Sequence, residues 1–386
     1  MRVGSAPDLR SKTFGEIYSA IVRIPFPVPT HMVVIAKTSN RASACPMLYS
    51  LAILLVLSCS HQQNRRDAVP SEDIKYYSFV EKSFDKAVLS LFSSVDTVYL
   101  DRVSHSDHTV SNVDKILLND GKIYILDAIR RVLSEYDYSG KAIRSIGRQG
   151  RAQDEYNRIS DFTVSPEGDF MILDGTTDHI IRFTRNGDFV ERMHLESEVS
   201  ALQSLSSSRL LMGISLWDNS KSKDYHVLLF DRPGSVVKEM ASNTHAIDIN
   251  VTFPSVGFSE SDSGYSYLIP LEDRVYEFDV DGNYVRNYYW DFSPSALSEG
   301  ARKNVELHME EINNGSFLML AAFVSNNLII GNVREKGNFK TFIVDRRENT
   351  RYMVESKLGY FFGVSSGKAM FVKDSGDGYV LTLLSL

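Results

Sequence analysis

Four hairpin sequences stand at an almost constant interval along the chain, and this periodicity limits its fold more than any other feature. They are SEYDYSGKAI around Gly140, IRFTRNGDFV around Gly187, LLFDRPGSVV around Gly234 and YEFDVDGNYV around Gly282, spaced 47, 47 and 48 residues apart. Each carries an aromatic residue four positions before the glycine: Tyr136, Phe183, Phe230 and Phe278. Side chains alternate along a strand, so this fixed offset puts the aromatic on the same, buried face in every copy. Asn-Gly and Asp-Gly supply the positive φ values that a tight turn demands, so the glycines are read as backbone geometry rather than chemistry. A second hairpin precedes the first two copies, KILLNDGKIYILD with Gly121 and FTVSPEGDFMILD with Gly168, again 47 apart. Two hairpins per period make four antiparallel strands, the signature of a propeller blade.

Copy three covers residues 201–241 and copy four 251–292, after which the rhythm breaks. Residues 293–313 are expected to be helical, with Ser293 as cap, Pro294 in the first turn, and Leu297, Ala301, Val305, Leu307, Met309 and Ile312 on one packing face. Copy five follows as FLMLAAF, NNLIIGNV, FKTFIVD and TRYMVE. The sixth block offers only YFFGVS, AMFVKD and YVLTLLSL, so DTVYLD (96–101) is expected to close the ring by completing the last blade. The fold class is all-β: a six-bladed β-propeller with four-stranded antiparallel blades and one helical insertion, preceded by a signal peptide.

The leader supports that last element. Met47 to Leu57 is an eleven-residue, largely apolar run, preceded by Lys37 and Arg41 and followed by Ser58-Cys59 and a polar segment. It is too short to span a bilayer and suits a cleaved signal peptide. Val56-Leu57-Ser58 before Cys59 resembles the bacterial lipobox, with the bulky Leu57 as its departure. Cys59 is the expected lipidation site, and the lipid would anchor the chain without spanning the membrane. Residues 1–31 fit no leader pattern, which implies a start near Met32 or Met47. The expected organisation is 1–58 over-extended N-terminus plus signal peptide, 59–95 lipid-anchored tether, and 96–386 propeller.

Charge narrows the partners. Residues 1–59 hold six Lys or Arg and two acids, a surplus of +4, so the rest carries −11 within a formal total of −7. An acidic body without a basic run interleaved with aromatics argues against nucleic acid. Both cysteines, Cys45 and Cys59, precede the folded part, which leaves it no disulfide or catalytic thiol.

The stretch from DTVYLD through GRQGRAQDEY to ISDFTVSPEGDFMILD resembles the six-bladed β-propeller lipoproteins of Bacteroidota, relatives in fold of NHL-repeat and TolB-type propellers. The family's link after its first blade reads roughly Gly-Arg-x-Gly-x-Gly-Pro-Gly-Glu-Tyr. Gly147, Arg148, Gly150, Glu155 and Tyr156 match it, whereas Ala152, Gln153 and Asp154 replace the Gly-Pro-Gly. The resemblance implies a fold and an address in the cell envelope, periplasmic or at the outer membrane, but no activity. Family chains also tend to continue past the point where this one stops.

Propellers bind ligands mostly at one channel mouth, where the turns joining strands two and three meet the links between blades. Those segments hold Arg130 and Arg131, Arg148, Arg151 and Tyr156, Asp178 and His179, Trp217 to Tyr225, Glu272 to Arg274, and Asp374 to Asp377. Of these, Arg130, Arg148, Arg151, Tyr156, Asp178, His179, Trp217 and Arg274 are the candidate ligand contacts, since arginines with aromatics and carboxylates suit anionic, sugar or peptide ligands. Asp127 and Asp174 are carboxylates repeated in the upstream hairpins. They directly follow a strand, where a turn cap is expected rather than a calcium ligand. No cofactor is expected. The nine histidines form no HxH or HExxH, so no histidine motif nominates a metal site or a catalytic base. Three functions stay open: a non-catalytic binding module for a glycan, peptide or envelope partner; a metal-assisted hydrolase or lyase working in the channel; and a scaffold for an envelope complex.

Overall fold

Strand pairing turns the repeat into a ring. The computed structural model describes residues 69–83, 86–101, 110–215, 224–231, 235–242, 257–304, 306–314, 317–335, 338–354 and 358–386. The signal peptide and Cys59 lie outside them. Among the described residues six antiparallel sheets form, within residues 115–145, 159–194, 199–242, 258–291, 317–354 and 360–385. Each is a blade; in blades one to five strands one to four follow chain order from the channel outward, while blade six takes its outermost strand from an earlier part of the chain.

The four repeated aromatics are all buried. In every copy a β-bulge falls immediately before the aromatic, between Glu135 and Tyr136, Arg182 and Phe183, Leu229 and Phe230, and Glu277 and Phe278. A bulge adds twist and re-aims the next side chain, so the repeat preserves a local distortion as well as a spacing. Gly140, Gly187 and Gly282 take φ of 85°, 89° and 81° at the following turn, as expected. Gly234 lies outside the described residues.

The ring closes as the sequence implied, with two more residues than foreseen. Ser94–Asp101 pairs antiparallel with Gly378–Ser385 along its whole length, from Ser94↔Ser385 to Asp101↔Gly378. It supplies the outermost strand of blade six, so blade six is built from both ends of the folded chain.

Residues 59–95 are not all tether. Ser71–Lys75 adds a fifth, parallel strand to blade four beside Tyr284–Asp291, and Val80–Ser83 does the same for blade five beside Thr350–Val354. Ile74 and Tyr76 are buried, and the Tyr76 ring lies 5.2–5.4 Å from those of Phe292, Phe317 and Phe342. Burying two such side chains contributes about 1.5–3 kcal/mol each. Arg351 sits 4.3 Å over the Tyr76 ring and donates to Glu81 at 2.7 Å. The segment is a strap over two blades.

The insertion also differs from expectation. Ser293-Pro294 is a cis peptide, and the helix begins only at Glu299, capped by the Ser298 hydroxyl, which accepts from the Ala301 amide at 3.1 Å. Two short helices, Glu299–Lys303 and Met309–Asn314, flank a 3-10 turn. Leu297, Ala301 and Ile312 pack on Leu318 and Leu320 of blade five, but Leu307 points outward and is 78% exposed. Alternating turns, not one continuous face, explain that miss.

Candidate functional site

Topology sorts the loops into two groups. Strands two and four of every blade finish at the same end, so turns joining strands two and three and links between blades gather there, at the loop end. The Gly-centred turns lie at the other, hairpin end. Between the two ends the channel is crossed by side chains of its own inner strands. Lys115 of blade one donates to Asp161 of blade two at 2.7 Å, and the other Asp161 oxygen accepts the Leu202 amide of blade three at 2.6 Å. Burial pushes the Asp161 carboxyl up, against the pull of Lys115. Ser259 of blade four accepts the Val364 amide of blade six at 2.7 Å, while Ser365 accepts the Leu118 amide at 3.0 Å.

At the loop end the link between blades one and two folds on itself. Tyr156 donates its amide to Arg148 O at 3.1 Å, and Gly150 donates to Tyr156 O at 2.9 Å. The Glu155 carboxylate turns back to accept the Ala152 amide at 2.8 Å and pairs with Arg148 Nε at 2.8 Å. The Ala152 amide first, then the Arg151 amide and Arg148, hold Glu155 below the usual carboxylate range against burial. The Glu155 carboxylate thus braces the turn that carries Ala152, Gln153 and Asp154. Tyr156 itself is buried beneath, among Ile146, Phe162 and Phe183, with no surface to offer a ligand.

The repeated carboxylates are turn caps. Asp127 Oδ2 accepts the Ser111 amide and hydroxyl at 2.8 and 2.9 Å and the Asn112 amide at 3.0 Å, while Oδ1 accepts the Arg130 amide at 2.8 Å. Asp174 accepts the Asn157, Arg158 and Thr176 amides and pairs with Arg192 at 3.1 Å. Burial pushes the Asp174 carboxyl up, yet its hydrogen bonds outweigh burial and leave it below the usual range. Among the described residues no group of three or more His, Cys, Asp or Glu side chains is placed to hold a metal ion.

Five of the eight candidates share one arc over blades one and two. Arg130, Arg148 and Arg151 are exposed, and Asp178 and His179 are half-buried on the next turn. The His179 ring stands 5.0 Å from that of His194, its cross-strand partner. Arg131 and Arg158 join them. Arg148 is tied to Glu155, and Arg192 to Asp174 and Thr177. By contrast, among the described residues nothing engages the guanidinium groups of Arg131, Arg151 and Arg158 in a hydrogen bond or ion pair. Arg274 stands apart on blade four, 5.4 Å from the Tyr289 ring and 3.3 Å from Asn287 Oδ1. Trp217 lies outside the described residues.

Residues 77–385 match a family described as a domain of unknown function, DUF4934. The chain belongs to the DUF4934 family. Comparison with functionally curated proteins gives no match. A solved structure of a Bacteroides fragilis protein described as exported is similar, with a TM-score of 0.61 at 13% identity over 81% of this chain and 99% of that one. A member of the DUF4221 family from Bacteroides vulgatus follows, with a TM-score of 0.52 at 10% identity over 76% and 96%. At such identities the likeness shows the propeller fold alone.

One buried group of the DUF4934 domain escaped the sequence reading. His226 Nε2 lies 2.7 Å from Glu272 Oε1, and Tyr276 donates its hydroxyl to Glu272 Oε2, joining blades three and four. Next to it Asp273, at φ 51° and fully buried, pairs with Arg302 of the insertion. The repeat held the clue to His226: it precedes Phe230 by four residues, as His179 precedes Phe183. Glu272 belongs to the following blade, where no spacing announces the contact.

Proposed function

We propose that this DUF4934 protein is a non-catalytic binding module, held at the cell envelope by a lipid on Cys59, which captures anionic groups of a glycan, peptide or envelope protein at the loop-end arc over blades one and two. The observation that carries this is the contrast among arginines. Arg148 and Arg192 spend their charge on Glu155 and Asp174, but Arg131, Arg151 and Arg158 have no counter-charge among the described residues. The planar guanidinium fork matches a carboxylate or phosphate with two parallel hydrogen bonds, and the turn that follows Arg151 is braced by Glu155. The description of the Bacteroides fragilis protein as exported, and the apolar run from Met47 to Leu57 just before Cys59, support the address.

The test is binding to a carboxylated glycan, polygalacturonate, against a neutral glucan, at two salt concentrations. Retention of the carboxylated probe should fall with salt. The exposed double variant Arg151→Glu/Arg158→Glu should bind about tenfold more weakly, roughly the loss of one charge-assisted contact. Equal retention of both probes, or an unchanged double variant, would argue against the arc. Mass spectrometry of the native protein should find a diacylated N-terminal Cys59, and an unmodified thiol there would remove the anchor.

A further inference from the structure

The hairpin end of the channel differs in chemistry from the arginine arc. A cleft of about 140 Å³ opens there between the inner strands of blades one, two, three, four and six. That is on the order of ten times the space one water needs. Half-buried Leu117 and Val164 give it apolar lining, and the side chains beside them are mostly polar.

The polar wall is rich in acceptors. Glu260 supplies the only charge among the lining residues, and its carboxylate accepts the Ser366 and Gly367 amides at 2.5 and 2.9 Å. Gln203 spends an amide hydrogen on Ser204 O at 3.1 Å and Asn119 spends one on Ser165 O at 3.5 Å, which leaves both side-chain carbonyls as acceptors. Tyr265 completes the wall. Burial, and then Glu260, push its phenol up, so it stays a neutral hydrogen-bonding group. One carboxylate is too few for a hard divalent cation, which takes six to eight oxygens. A monovalent head group with several N–H donors fits: the carboxylate offsets its charge, the carbonyls take its hydrogens, and an aromatic face lies beside it.

We propose that this cleft binds a small organic ammonium compound of amino-sugar size, with the ammonium at Glu260 and the carbon skeleton along Val164 and Tyr265. The site is separate from the arginine arc and selects the opposite charge.

Titration of the full chain with glucosamine by calorimetry, with N-acetylglucosamine as its charge-free counterpart, tests it. Glucosamine should bind saturably, and both N-acetylation and Glu260→Gln should weaken binding about tenfold, whereas Arg151→Glu/Arg158→Glu should leave it unchanged. No saturable binding, equal binding of the two sugars, or an unaffected Glu260→Gln would overturn the proposal. Should Glu260→Gln fail to fold, Gln203→Leu decides: weaker glucosamine binding supports the site, and unaltered binding overturns it.

Discussion

At the residue scale, carboxylates that resemble ligands in the sequence are consumed by backbone amides. Asp174 and Asp127 each end the second strand of a blade and hold the preceding link against the following turn. Asp174→Ala leaves those amides and Arg192 without their acceptor and should cost about 2–4 kcal/mol in urea unfolding. Because the folded Asp174 titrates below its unfolded value, its stabilisation is present above the usual carboxylate range and lost as pH falls through the folded value. The variant should therefore lose less stability than the parent on acidification, and a parallel pair of pH profiles would refute that role. Gly150 shows the same economy of space, since a Cβ there would lie 1.8 Å from Glu155 Oε2. Gly150→Ala should displace the Glu155 brace and cost about 1–3 kcal/mol, measured by thermal unfolding, with Arg148 released from its partner.

At the element scale, the strap and the insertion are the parts that periodicity could not show. Ser71–Lys75 and Val80–Ser83 belong to no repeat, and their pairing is parallel and remote, with blades two hundred or more residues away. Only the aromatic run around Tyr76 marks the segment as something other than a polar tether. The insertion was legible as helix, but not its break into two pieces or its anchor. That anchor is Arg302, which donates to Leu271 O and to Asp273. Burial pushes the Asp273 carboxyl up to about 7, with Arg302 pulling the other way. A folded carboxyl that titrates above its unfolded value takes up a proton on folding, so stability should decline as pH rises from about 4 towards 7 and level off above. The full shift corresponds to about 4 kcal/mol. Asp273→Asn should flatten that segment of the pH–stability curve in chemical unfolding, and an unaltered slope would place the dependence elsewhere.

At the scale of the whole molecule, the ring was readable because blades one to four repeat the same local solution, an aromatic, a bulge and a glycine four residues on, at 47- or 48-residue spacing. The candidate loop-end arc was only half readable. Arg130, Arg148, Arg151, Asp178 and His179 come together because topology sends their loops to one end, whereas Tyr156 is drawn inward by the same motif that flagged it. What each arginine pairs with depends on chain turns that no repeat encodes. Everything at both ends of the channel relies on one joint, the pairing of Ser94–Asp101 with the last strand of blade six. Its outermost pair, Ser94 and Ser385, brings two side-chain oxygens within 2.7 Å. Ser94→Cys/Ser385→Cys should therefore form an intramolecular disulfide under mild oxidation, mapped to positions 94 and 385 by peptide mass spectrometry, and raise stability by about 2–5 kcal/mol. Two free thiols at those positions in the folded protein after oxidation, or a bridge between molecules instead, would contradict a ring closed by its N-terminal strand.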